Sequence, residues 1–329
     1  MTVLICGGAG YIGSHAVAEL IEKKEDVIVI DNLQTGHRSA VSKEATFYEG
    51  DLRDEKVLDR VFTNHQVDSV IHFAADSLVG VSVEKPLEYY DNNVYGALCL
   101  LKKMEQYKVE HIVFSSTAAT YGEPENVPIK ETEVTAPTNP YGETKLAIEK
   151  MLKWCANAYG MKYVALRYFN VAGAHPTIDI GEDHQPETHL IPIVLQVALG
   201  QRDKIMIFGD DYNTPDGTCI RDYIHVKDLI QAHLLALTYL RDGGDSDVFN
   251  LGNESGFSVK EVVDAVEKVT GKEIPREIAA RRGGDPATLV ASSEKAKTTL
   301  GWEPKYPDLE SIIETAWKWH QRHPEGYKS

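Results

Sequence analysis

Cysteine is scarce in this chain, with four residues among 329: Cys6, Cys99, Cys155 and Cys219. They are widely spaced and include no C-x-x-C pair, the spacing of many zinc and redox sites. Isolated cysteines of this kind are typical of reduced, mostly buried thiols in cytosolic proteins, where disulfides are rare. We therefore expect a cytoplasmic protein.

Three further features are lacking. The opening MTVLICGGAGYIGS has neither a basic n-region nor a cleavage site, so no secretory signal is predicted. No apolar run approaches the roughly 20 residues that a transmembrane helix needs, which argues against a membrane protein. The net charge of −16 argues against a nucleic-acid partner, which would require a basic face. An anionic substrate is still compatible with this charge, because a few local arginines are enough to hold a phosphate.

The remaining composition is globular, 43% hydrophobic and 26% charged, and long enough for one large domain or two packed ones. In the first half, short β-branched runs alternate with helical patterns. The strand candidates are residues 3–6, 27–30, 69–73, 112–115 and 163–168, and the helical segments are residues 15–23, 56–63, 93–107 and 144–158. Such alternation indicates βαβ units, so we predict the α/β class with a doubly wound parallel Rossmann sheet.

From about Gly173 the pattern changes to long polar loops rich in proline, glycine and aspartate. Only four segments there have a clear helical pattern, LIPIVLQVAL and residues 259–269, 293–300 and 309–320. We therefore divide the chain into a dinucleotide-binding domain, residues 1–172, and a smaller, loop-rich substrate domain, residues 173–329. The run FNLGN predicts that a segment near residues 222–253 returns to the main sheet.

The segment VLICGGAGYIGSHAVAEL follows the order strand, glycine turn, helix. Gly7, Gly10 and Gly13 form G-x-x-G-x-x-G, a close variant of the dinucleotide fingerprint. Glycines at these places allow a tight turn, space for the pyrophosphate and close packing of the helix on the strand. The helix that starts there offers free N–H groups and its positive dipole end to phosphates. Because this pattern lies on the first βα unit, it indicates a dinucleotide site.

The second strand ends VIVIDN, which places Asp31 at its carboxyl end. A carboxylate at this point accepts hydrogen bonds from the adenosine ribose hydroxyls and repels a 2′-phosphate. The sequence therefore favours NAD over NADP as the cofactor. Two other interpretations stay open: Asp31 is a turn or helix-cap aspartate, or the nearby Arg38 holds a 2′-phosphate.

Further cofactor contacts are predicted at the ends of the later strands. Asp51 and Leu52, in GDLRD, would flank the adenine, and IHFAA would line the crevice at the next strand end. The full set beyond the glycines and Asp31 is Tyr11, Ile12, Asn32, Asp51, Leu52, Phe73, Ala74, Ala75, Asn93, Ser115, Tyr141, Lys145 and Tyr168.

The stretch NPYGETKLAIEKML puts Tyr141 and Lys145 at i and i+4 near the start of a predicted helix, so they share a face. An ammonium beside a phenol favours the phenolate, which predicts a lowered pKa for Tyr141 and a base near neutral pH. Thr117, in FSSTAATYG, follows a strand and would hydrogen-bond the same substrate oxygen. With a nicotinamide, this catalytic trio suits hydride transfer at a carbinol carbon. The alternative is that Tyr141 and Lys145 are ordinary surface residues.

These motifs, with RYFNVAGAHP, FGDDYNTPDGTCIRDYIHV and HPEGY, resemble the UDP-glucose 4-epimerase family of extended short-chain dehydrogenases/reductases from end to end of the chain. The resemblance implies that Tyr141 is the base, that Lys145 holds the nicotinamide ribose and tunes the tyrosine, and that Thr117 is the hydroxyl partner. It also implies substrate contacts by Arg221 and Arg282 at the UDP diphosphate, by Asp285 at the uridine ribose, and by Thr117, Tyr141, Asn170, His189, Leu190 and Leu289.

The resemblance implies a cycle at C4 of the hexose, in which the hydride leaves for tightly bound NAD and gives a transient 4-keto sugar. That intermediate turns over in the site, and the hydride returns from enzyme-bound NADH to its other face. UDP-glucose and UDP-galactose would interconvert without net use of NAD. A homodimer through the paired helices that begin near Asn93 and Thr144 is also implied. Galactose use and the supply of cell-surface sugars stay open as the pathway served.

Rival functions on this fold are a nucleotide-sugar dehydratase or decarboxylase, a reductase and a non-catalytic NAD sensor. Dehydratases of this kind carry an acid next to the threonine, where this chain has Ala118 and Ala119. A reductase would need exchangeable NADPH, which Asp31 disfavours. A sensor has no need of the catalytic trio.

No metal site is predicted from the sequence. His184 and His189 lie among Glu182, Asp183 and Glu187 in a polar loop, but no H-x-x-x-H or H-E-x-x-H helix pattern is present. Loop histidines among acidic residues are usually solvated, so we expect solvated side chains here.

Two positions bear on the substrate. THLIP replaces the more usual NNLMP of the family, which puts His189 where an asparagine is common. The resemblance implies that Leu289 lines the hexose pocket, at a place where members restricted to plain glucose and galactose tend to have a bulky tyrosine. The smaller side chain leaves room for an N-acetyl group at C2, so we expect UDP-GlcNAc and UDP-GalNAc to be substrates as well.

Overall fold

A computed structural model of the protein describes residues 1–282 and 286–328. The strands in chain order are β1 (Thr2–Cys6), β2 (Asp26–Asp31), β3 (Thr46–Glu49), β4 (Ser69–His72), β5 (His111–Ser115), β6 (Lys162–Tyr168), β7 (Asn170–Ala172), β8 (Ile205–Phe208), β9 (Ile220–Arg221), β10 (Tyr223–His225), β11 (Asp247–Leu251), β12 (Phe257–Ser258), β13 (Arg276–Ala279) and β14 (Thr288–Leu289). Seven of them form one sheet in the order β11-β6-β5-β4-β1-β2-β3, with every neighbouring pair parallel. The predicted parallel sheet is confirmed.

The helices are α1 (Tyr11–Glu22), α2 (Glu55–Asn64), α3 (Val79–Glu84), α4 (Pro86–Tyr89), α5 (Gly96–Tyr107), α6 (Pro140–Tyr159), α7 (Leu190–Ala198), α8 (Val226–Arg241), α9 (Val259–Thr270), α10 (Glu294–Leu300) and α11 (Leu309–Arg322). Short 3₁₀ turns occupy Arg38–Ala40 and Ala118–Tyr121, and a π turn occupies Tyr90–Tyr95. Within the described ranges, no helix combines the length and apolarity needed to cross a membrane.

Side-chain alternation along the strands divides the core into two apolar layers. In β1, Val3 and Ile5 face one layer and Leu4 and Cys6 face the other, because successive residues of a strand point to opposite faces. Helices α1 and α8 close the first layer, and α2, α5 and α6 close the second. A parallel sheet covered by helices on both faces is the doubly wound arrangement that the sequence predicted.

Helix α8 was not predicted. The prediction that only four segments after Gly173 are helical is wrong, because α8 is a further helix of 16 residues. Ten of its side chains are buried, including those of Ile230, His233 and Leu234. A helix that is buried on several sides has no narrow apolar stripe, so its 3.6-residue period is weak in the sequence.

The second half has an apolar core of its own. Helices α7, α9 and α11 pack around buried residues that include Val194, Val263 and Ile312. Strand β8 pairs with β13, and β9 lies between β12 and β14. Strand β11, which contains Phe249, Asn250 and Leu251 of the FNLGN run, joins the large sheet beside β6. The division of the chain at residue 172 stays a prediction.

A buried ion pair joins β6 to α6, the helix that carries Tyr141 and Lys145. Arg167 Nε donates to Glu149 Oε1 at 2.9 Å, and a second nitrogen of the guanidinium donates to Oε2. Each side chain is only 7% exposed. The Ser116 hydroxyl also donates to Glu149, so the segment after β5 shares the contact.

We predict that Glu149→Leu lowers the free energy of unfolding by about 3–5 kcal/mol, because the Arg167 charge is left buried without its partner. The double variant Glu149→Leu/Arg167→Met should be less destabilised than Glu149→Leu alone, since both charges are then removed. Urea unfolding followed by circular dichroism measures both effects. Lys162→Met is a control on the same strand, because its ion pair with Asp245 is exposed and should matter little. Equal stability of Glu149→Leu and the control would contradict the account.

Candidate active site

The strand order creates a crevice at the carboxyl end of the sheet. After β1 the chain builds β2 and β3 on one side, and it then crosses to β4 on the other side. In open α/β sheets, ligands bind outside the strand ends at such a switch point. The glycine turn follows β1, and Phe73, Thr117 and Asn170 come directly or closely after β4, β5 and β6. The predicted site segments therefore share one edge of the sheet.

The turn between β1 and α1 fits a pyrophosphate. Gly7 has a φ of +82°, and a Cβ added to Gly13 would lie 2.0 Å from the Gly7 carbonyl oxygen, so both positions require glycine. Helix α1 begins after Gly10, which as the N-cap residue provides no side-chain hydrogen bond to the first turn. The first-turn N–H groups are therefore left for an anion, as in other phosphate sites at helix N-termini. These residues fit the dinucleotide that the sequence predicts.

Tyr11 and Ile12 hold this turn in position. The Tyr11 hydroxyl donates to the Gly173 carbonyl at 2.6 Å, which ties α1 to the segment after β7. Ile12 packs against the apolar layer closed by α1 and α8. Both side chains therefore have partners inside the protein, and the cofactor contacts of these two residues stay predictions.

Asp31 combines a structural contact with capacity for a ligand. Its carboxylate accepts hydrogen bonds from Ala9 N at 2.9 Å and from Leu33 N at 2.8 Å, as the turn interpretation requires. Burial nevertheless raises its pKa. A carboxylate has about four acceptor positions, so ribose hydroxyls can share it. Arg38 lies 4.4 Å over the Phe47 ring, and this contact competes with its alternative role at a 2′-phosphate.

Asn32 and Asp51 lie together beside Asp31 at the side predicted for adenosine. Asn32 Nδ2 donates to Asp51 Oδ2 at 3.2 Å, and Arg53 donates to both carboxylate oxygens of Asp51. Hydrogen bonds from this guanidinium lower the pKa of Asp51 to about 2, so the carboxylate stays ionised at neutral pH. Leu52 is buried in the apolar layer next to α2.

Asn93 has a positioning role. Phe73, Ala74 and Ala75 follow β4 and are partly buried, whereas Asn93 is 1% exposed. Its Nδ2 donates to the Asp76 carbonyl at 3.0 Å and to Thr144 Oγ1 at 3.1 Å, and its Oδ1 accepts from Asp76 N at 2.8 Å. Both amide hydrogens are used inside the protein, so Asn93 fixes the loop after β4 to α6.

The catalytic trio meets where β5 ends and α6 begins. The Asn139 side chain caps α6 by accepting from Gly142 N at 2.9 Å, which places Tyr141 in the first helical turn. Lys145 follows one turn later, with its Nζ 6.0 Å from the centre of the Tyr141 ring. The same ammonium donates to the Ser115 carbonyl at 2.8 Å. The lysine is 3% exposed, so the surface-residue alternative does not hold for it.

Close packing holds Thr117 beside the tyrosine. A Cβ added to Gly142 would lie 2.6 Å from the Ala119 carbonyl oxygen, so glycine lets α6 approach the 3₁₀ turn after Thr117. Thr117 caps that turn, and its Oγ1 accepts from Ala119 N at 3.1 Å. A hydroxyl has one proton to donate, and the Thr117 proton is left for the Tyr141 oxygen or for a substrate.

The pKa of Tyr141 is raised, whereas the sequence predicted that it would be lowered. Burial raises it to about 12, and the hydrogen bond with Thr117 only partly opposes this shift. Burial also lowers the pKa of Lys145 to about 7, so the lysine is a weak source of positive charge at neutral pH. The protein's own groups leave Tyr141 protonated at neutral pH. A further positive charge is needed to make it a base.

Ser115 and Tyr168 face each other at the ends of β5 and β6. Their hydroxyl groups form a buried hydrogen bond. Burial raises the pKa of Tyr168 well above its ordinary value, so this phenol is neutral at physiological pH. It can form hydrogen bonds to a cofactor but does not supply a second base.

Leu289 connects the predicted substrate residues to the catalytic trio. Arg221 ends β9, and Leu289 of β14 is its parallel neighbour in the small sheet. Leu289 also packs against the cluster of Ala118, Tyr121 and Ile129, which includes the turn after Thr117. The residue predicted to line the hexose pocket thus lies next to both the predicted diphosphate ligand and the catalytic segment.

Asp222 fixes this small sheet, although the sequence analysis did not single it out. It is 1% exposed and accepts from Asn253 N at 2.8 Å and from Ala291 N at 3.0 Å. Its carbonyl accepts from the Asn170 side chain at 3.1 Å. Burial raises its pKa to about 6. The only sequence signal for this residue is its place between Arg221 and the YIHV run.

Arg282 follows β13, is exposed, and lies 4.0 Å over the Phe208 ring. Asp285, the predicted contact of the uridine ribose, lies outside the described residues. The contacts of both residues with UDP stay predictions.

The predicted substrate contacts His189 and Leu190 lie at the start of α7, as its N-cap and first residue. The side chains of His184 and His189 are 28% and 40% exposed, so they are partly solvated as expected, but the carboxylates beside them are buried. Glu182 and Glu187 are 4% and 5% exposed, and both lie within 3.7 Å of His184 Nδ1 and of His189 Nδ1. The spacing E-x-H-x-x-E-x-H is the sequence signal of this cluster, and it belongs to a loop rather than to a helical motif.

Comparisons with known proteins show which family the chain belongs to. The model of the NAD dependent epimerase/dehydratase family matches residues 3–252. The UDP-glucose 4-epimerase of Halalkalibacterium halodurans is 65% identical over 329 residues, covering 100% of this chain and 98% of that protein.

Two solved structures extend the likeness to bound ligands and substrates. The UDP-glucose 4-epimerase of Bifidobacterium longum, in complex with NAD⁺ and UDP, is 41% identical with a TM-score of 0.92, covering 99% of this chain and 100% of that chain. The UDP-Glc/GlcNAc 4-epimerase of Campylobacter jejuni is 43% identical with a TM-score of 0.86, covering 98% and 99%.

The pKa of Lys145 leads to a pH prediction for nucleotide-free protein. Its folded value of about 7 lies below the ordinary 10.5, so between these values the unfolded chain binds more protons at this site. Stability from this group therefore rises with pH above about 7, by at most about 1.4 kcal/mol per pH unit. Lys145→Met should remove that rise, so its stability relative to wild type should fall between pH 6.5 and pH 9. Thermal melts at several pH values measure the difference. Lys153→Met is the control, because Lys153 is exposed on the same helix. Parallel plots of stability against pH for all three proteins would contradict the prediction.

Proposed function

The chain belongs to the NAD dependent epimerase/dehydratase family, and we propose that within it the protein is a UDP-glucose 4-epimerase. It is an NAD-dependent isomerase that interconverts UDP-glucose and UDP-galactose at C4 of the hexose. The observation that carries this assignment is the meeting of Thr117, Tyr141 and Lys145 at the end of β5, beside a glycine turn that fits a dinucleotide.

The chain's own residues handle the proton of the C4 hydroxyl group. NAD, when bound, supplies the hydride acceptor for C4 and a positive ring charge close to the phenol. Because a nearby cation favours the phenolate, Tyr141 then becomes able to take the hydroxyl proton. Thr117 donates to the same oxygen and orients it. On the return step Tyr141 gives the proton back, so the protein ends the cycle unchanged.

Substrate affinity is proposed to come mainly from UDP. Arg221 and Arg282 are the candidate diphosphate ligands, with Asn170 and His189 as further polar contacts. Guanidinium groups bind phosphates strongly, so the nucleotide can stay bound while the 4-keto sugar turns over. Because UDP supplies the affinity and the hexose is free to turn, the hydride can return to either face of C4.

The rival functions lack support from the site. A dehydratase requires an acid beside Thr117, and Ala118 and Ala119 carry no titratable group. A reductase would exchange NADPH, against which the Asp31 carboxylate acts by repelling a 2′-phosphate. A sensor would have no use for Lys145 buried beside Tyr141.

We also propose that N-acetylated UDP-hexoses are substrates. Leu289 is smaller than tyrosine, and its contacts place it beside Arg221 and the turn after Thr117. The similar C. jejuni protein is a UDP-Glc/GlcNAc 4-epimerase. An N-acetyl group is excluded only by a clash, and a leucine here leaves more space at C2.

Two further proposals concern the assembly and its location. Most of the large apolar side chains that the described residues expose lie on α3, α4, α5, α6 and the π turn, among them Leu98 at 37% and Trp154 at 70% exposure. Exposed apolar surface of this kind marks an interface, so we propose a homodimer through α5 and α6. A monomer mass in solution at the concentration used for assays would overturn the homodimer proposal.

The cysteines are free thiols, in keeping with the proposed location in the cytoplasm.

We predict that Tyr141→Phe lowers the rate of UDP-glucose formation from UDP-galactose by about 10²–10⁴-fold, because the proton at the C4 hydroxyl loses its acceptor. Tyr159→Phe is the control, since this tyrosine ends the same helix and is 60% exposed. Retained NAD and an unchanged circular dichroism spectrum would show that Tyr141→Phe is folded. A loss of less than about threefold would contradict the role given to Tyr141.

We predict that Leu289→Tyr lowers the ratio of UDP-GlcNAc turnover to UDP-galactose turnover by about tenfold or more, because the ring occupies the space of the N-acetyl group. Coupled assays on both substrates measure the ratio. Leu289→Ile, of equal volume, should keep it. The proposal that Leu289 admits N-acetylated substrates is wrong if the wild type has no UDP-GlcNAc turnover, or if the ratio is unchanged in Leu289→Tyr.

A further inference from the structure

The loop before α7 gathers four potential metal ligands outside the catalytic trio. Glu182 Oε1 lies 3.2 Å from His184 Nδ1 and 2.8 Å from His189 Nδ1. The Glu187 carboxylate lies 3.7 Å from His184 Nδ1 and 3.2 Å from His189 Nδ1. One ligand atom from each of the four side chains lies within 4.8 Å of all the others. Two imidazoles and two carboxylates therefore lie close enough together to be candidates for one shared ion.

These atoms are close to one another but are not oriented for hydrogen bonding. Glu182 Oε1, His184 Nδ1 and His189 Nδ1 are each buried, and none has a hydrogen bond of normal geometry to any other described residue. The Glu182 side chain is only 4% exposed, so water does not satisfy its carboxylate easily. Imidazole and carboxylate atoms that lie this close together without hydrogen bonds can instead share a cation.

The separations also have the size that a tetrahedral ion requires. With metal–ligand distances of about 2.0–2.1 Å, neighbouring ligands of a tetrahedron lie about 3.3 Å apart. The four ion-pair distances here run from 2.8 to 3.7 Å and lie on both sides of that value. All four ligand atoms lie within 4.8 Å of one another, so some of them must move closer before all four can coordinate one ion.

We propose that Glu182, His184, Glu187 and His189 bind one divalent first-row transition-metal ion, with Zn²⁺ as the best match. Imidazole nitrogen disfavours Mg²⁺ and Ca²⁺, which prefer all-oxygen sites. Two imidazoles and two carboxylates suit a four-coordinate zinc ion, and its charge balances the two buried carboxylates. Since the protein supplies all four ligands, the site is closed and structural rather than catalytic.

An ion at this place would connect the start of α7, which carries the predicted substrate contacts His189 and Leu190, to the glycine turn before α1. The His184 ring lies 6.2 Å from the Tyr11 ring, edge to face, and Tyr11 belongs to the first turn of α1. Glu187 Oε1 also accepts from Thr188 N and His189 N, so this carboxylate fixes the start of α7. His189 coordinates through Nδ1, which leaves its Nε2 for the substrate contact proposed above.

The first test is metal content. The full chain is expressed without a polyhistidine tag and purified without chelator, and inductively coupled plasma mass spectrometry should find about one zinc or similar ion per chain. After stripping with EDTA, addition of Co²⁺ should give the visible bands of a four-coordinate site. Metal-free protein that also binds neither Zn²⁺ nor Co²⁺ at micromolar concentration would overturn the proposal, and the cluster would be an ion-pair network only.

The Zn²⁺ affinity of variants with a substituted ligand tests where the ion binds. Glu182→Gln and His184→Gln should each weaken Zn²⁺ binding by about 100-fold or more, since loss even of an outer-shell partner costs 10–100-fold. His323→Gln is the matched control, because His323 also pairs with a loop carboxylate, Asp179, and is 22% exposed against 28% for His184. Unchanged affinity in all three variants would place the metal elsewhere and overturn the proposal.

Anomalous scattering at the zinc edge from wild-type crystals gives an answer that does not depend on variant folding. A peak among the four ligand atoms supports the proposal, and a peak only at another place contradicts it. None of these readouts uses epimerase activity, so the metal site and the proposed function are tested separately.

Discussion

The buried hydrogen bond from the Lys145 ammonium to the Ser115 carbonyl is the contact on which the site depends. It joins the carboxyl end of β5 to the first turns of α6 and so sets how far the helix extends over the crevice. Tyr141 lies one turn before Lys145, and its place above the strand ends follows from that register. The Glu149–Arg167 ion pair, one turn later, fixes the same helix to β6. Gly142 permits the approach, because a larger residue would meet the Ala119 carbonyl.

Burial of Tyr141 and Lys145 also shifts the pKa values of both side chains. The environment that excludes water from Lys145 and Tyr141 disfavours the charged form of each, so the lysine tends to lose its proton and the phenol to keep its own. Proton transfer at neutral pH therefore depends on positive charge that arrives with the cofactor. Until the dinucleotide is bound, the buried Tyr141 keeps its proton at neutral pH.

Much of this could be predicted from the sequence, because the signals are local. Gly7 and Gly13 indicate a turn at which a Cβ would clash, and the Tyr141–Lys145 spacing indicates one helical face. The signal for α8 is weak because the helix is buried on several sides. The direction of the Tyr141 pKa could not be predicted, since spacing says nothing about desolvation. The contacts of Asp222 join separate segments, and no sequence period records them. The Glu182–His189 cluster has a visible spacing in one loop, but the spacing does not show that its carboxylates are buried.

The measurement that tests the central claim most directly is the fate of a deuterium placed at C4 of UDP-galactose. If Tyr141 handles only the hydroxyl proton and the C4 hydrogen moves as a hydride inside the closed site, the UDP-glucose formed in ordinary water keeps its deuterium at C4. Mass spectrometry and proton NMR should then show full retention, even after many turnovers. Exchange of the label with water would mean that C4 is inverted by proton abstraction, and the hydride mechanism assigned to Thr117, Tyr141 and Lys145 would be wrong.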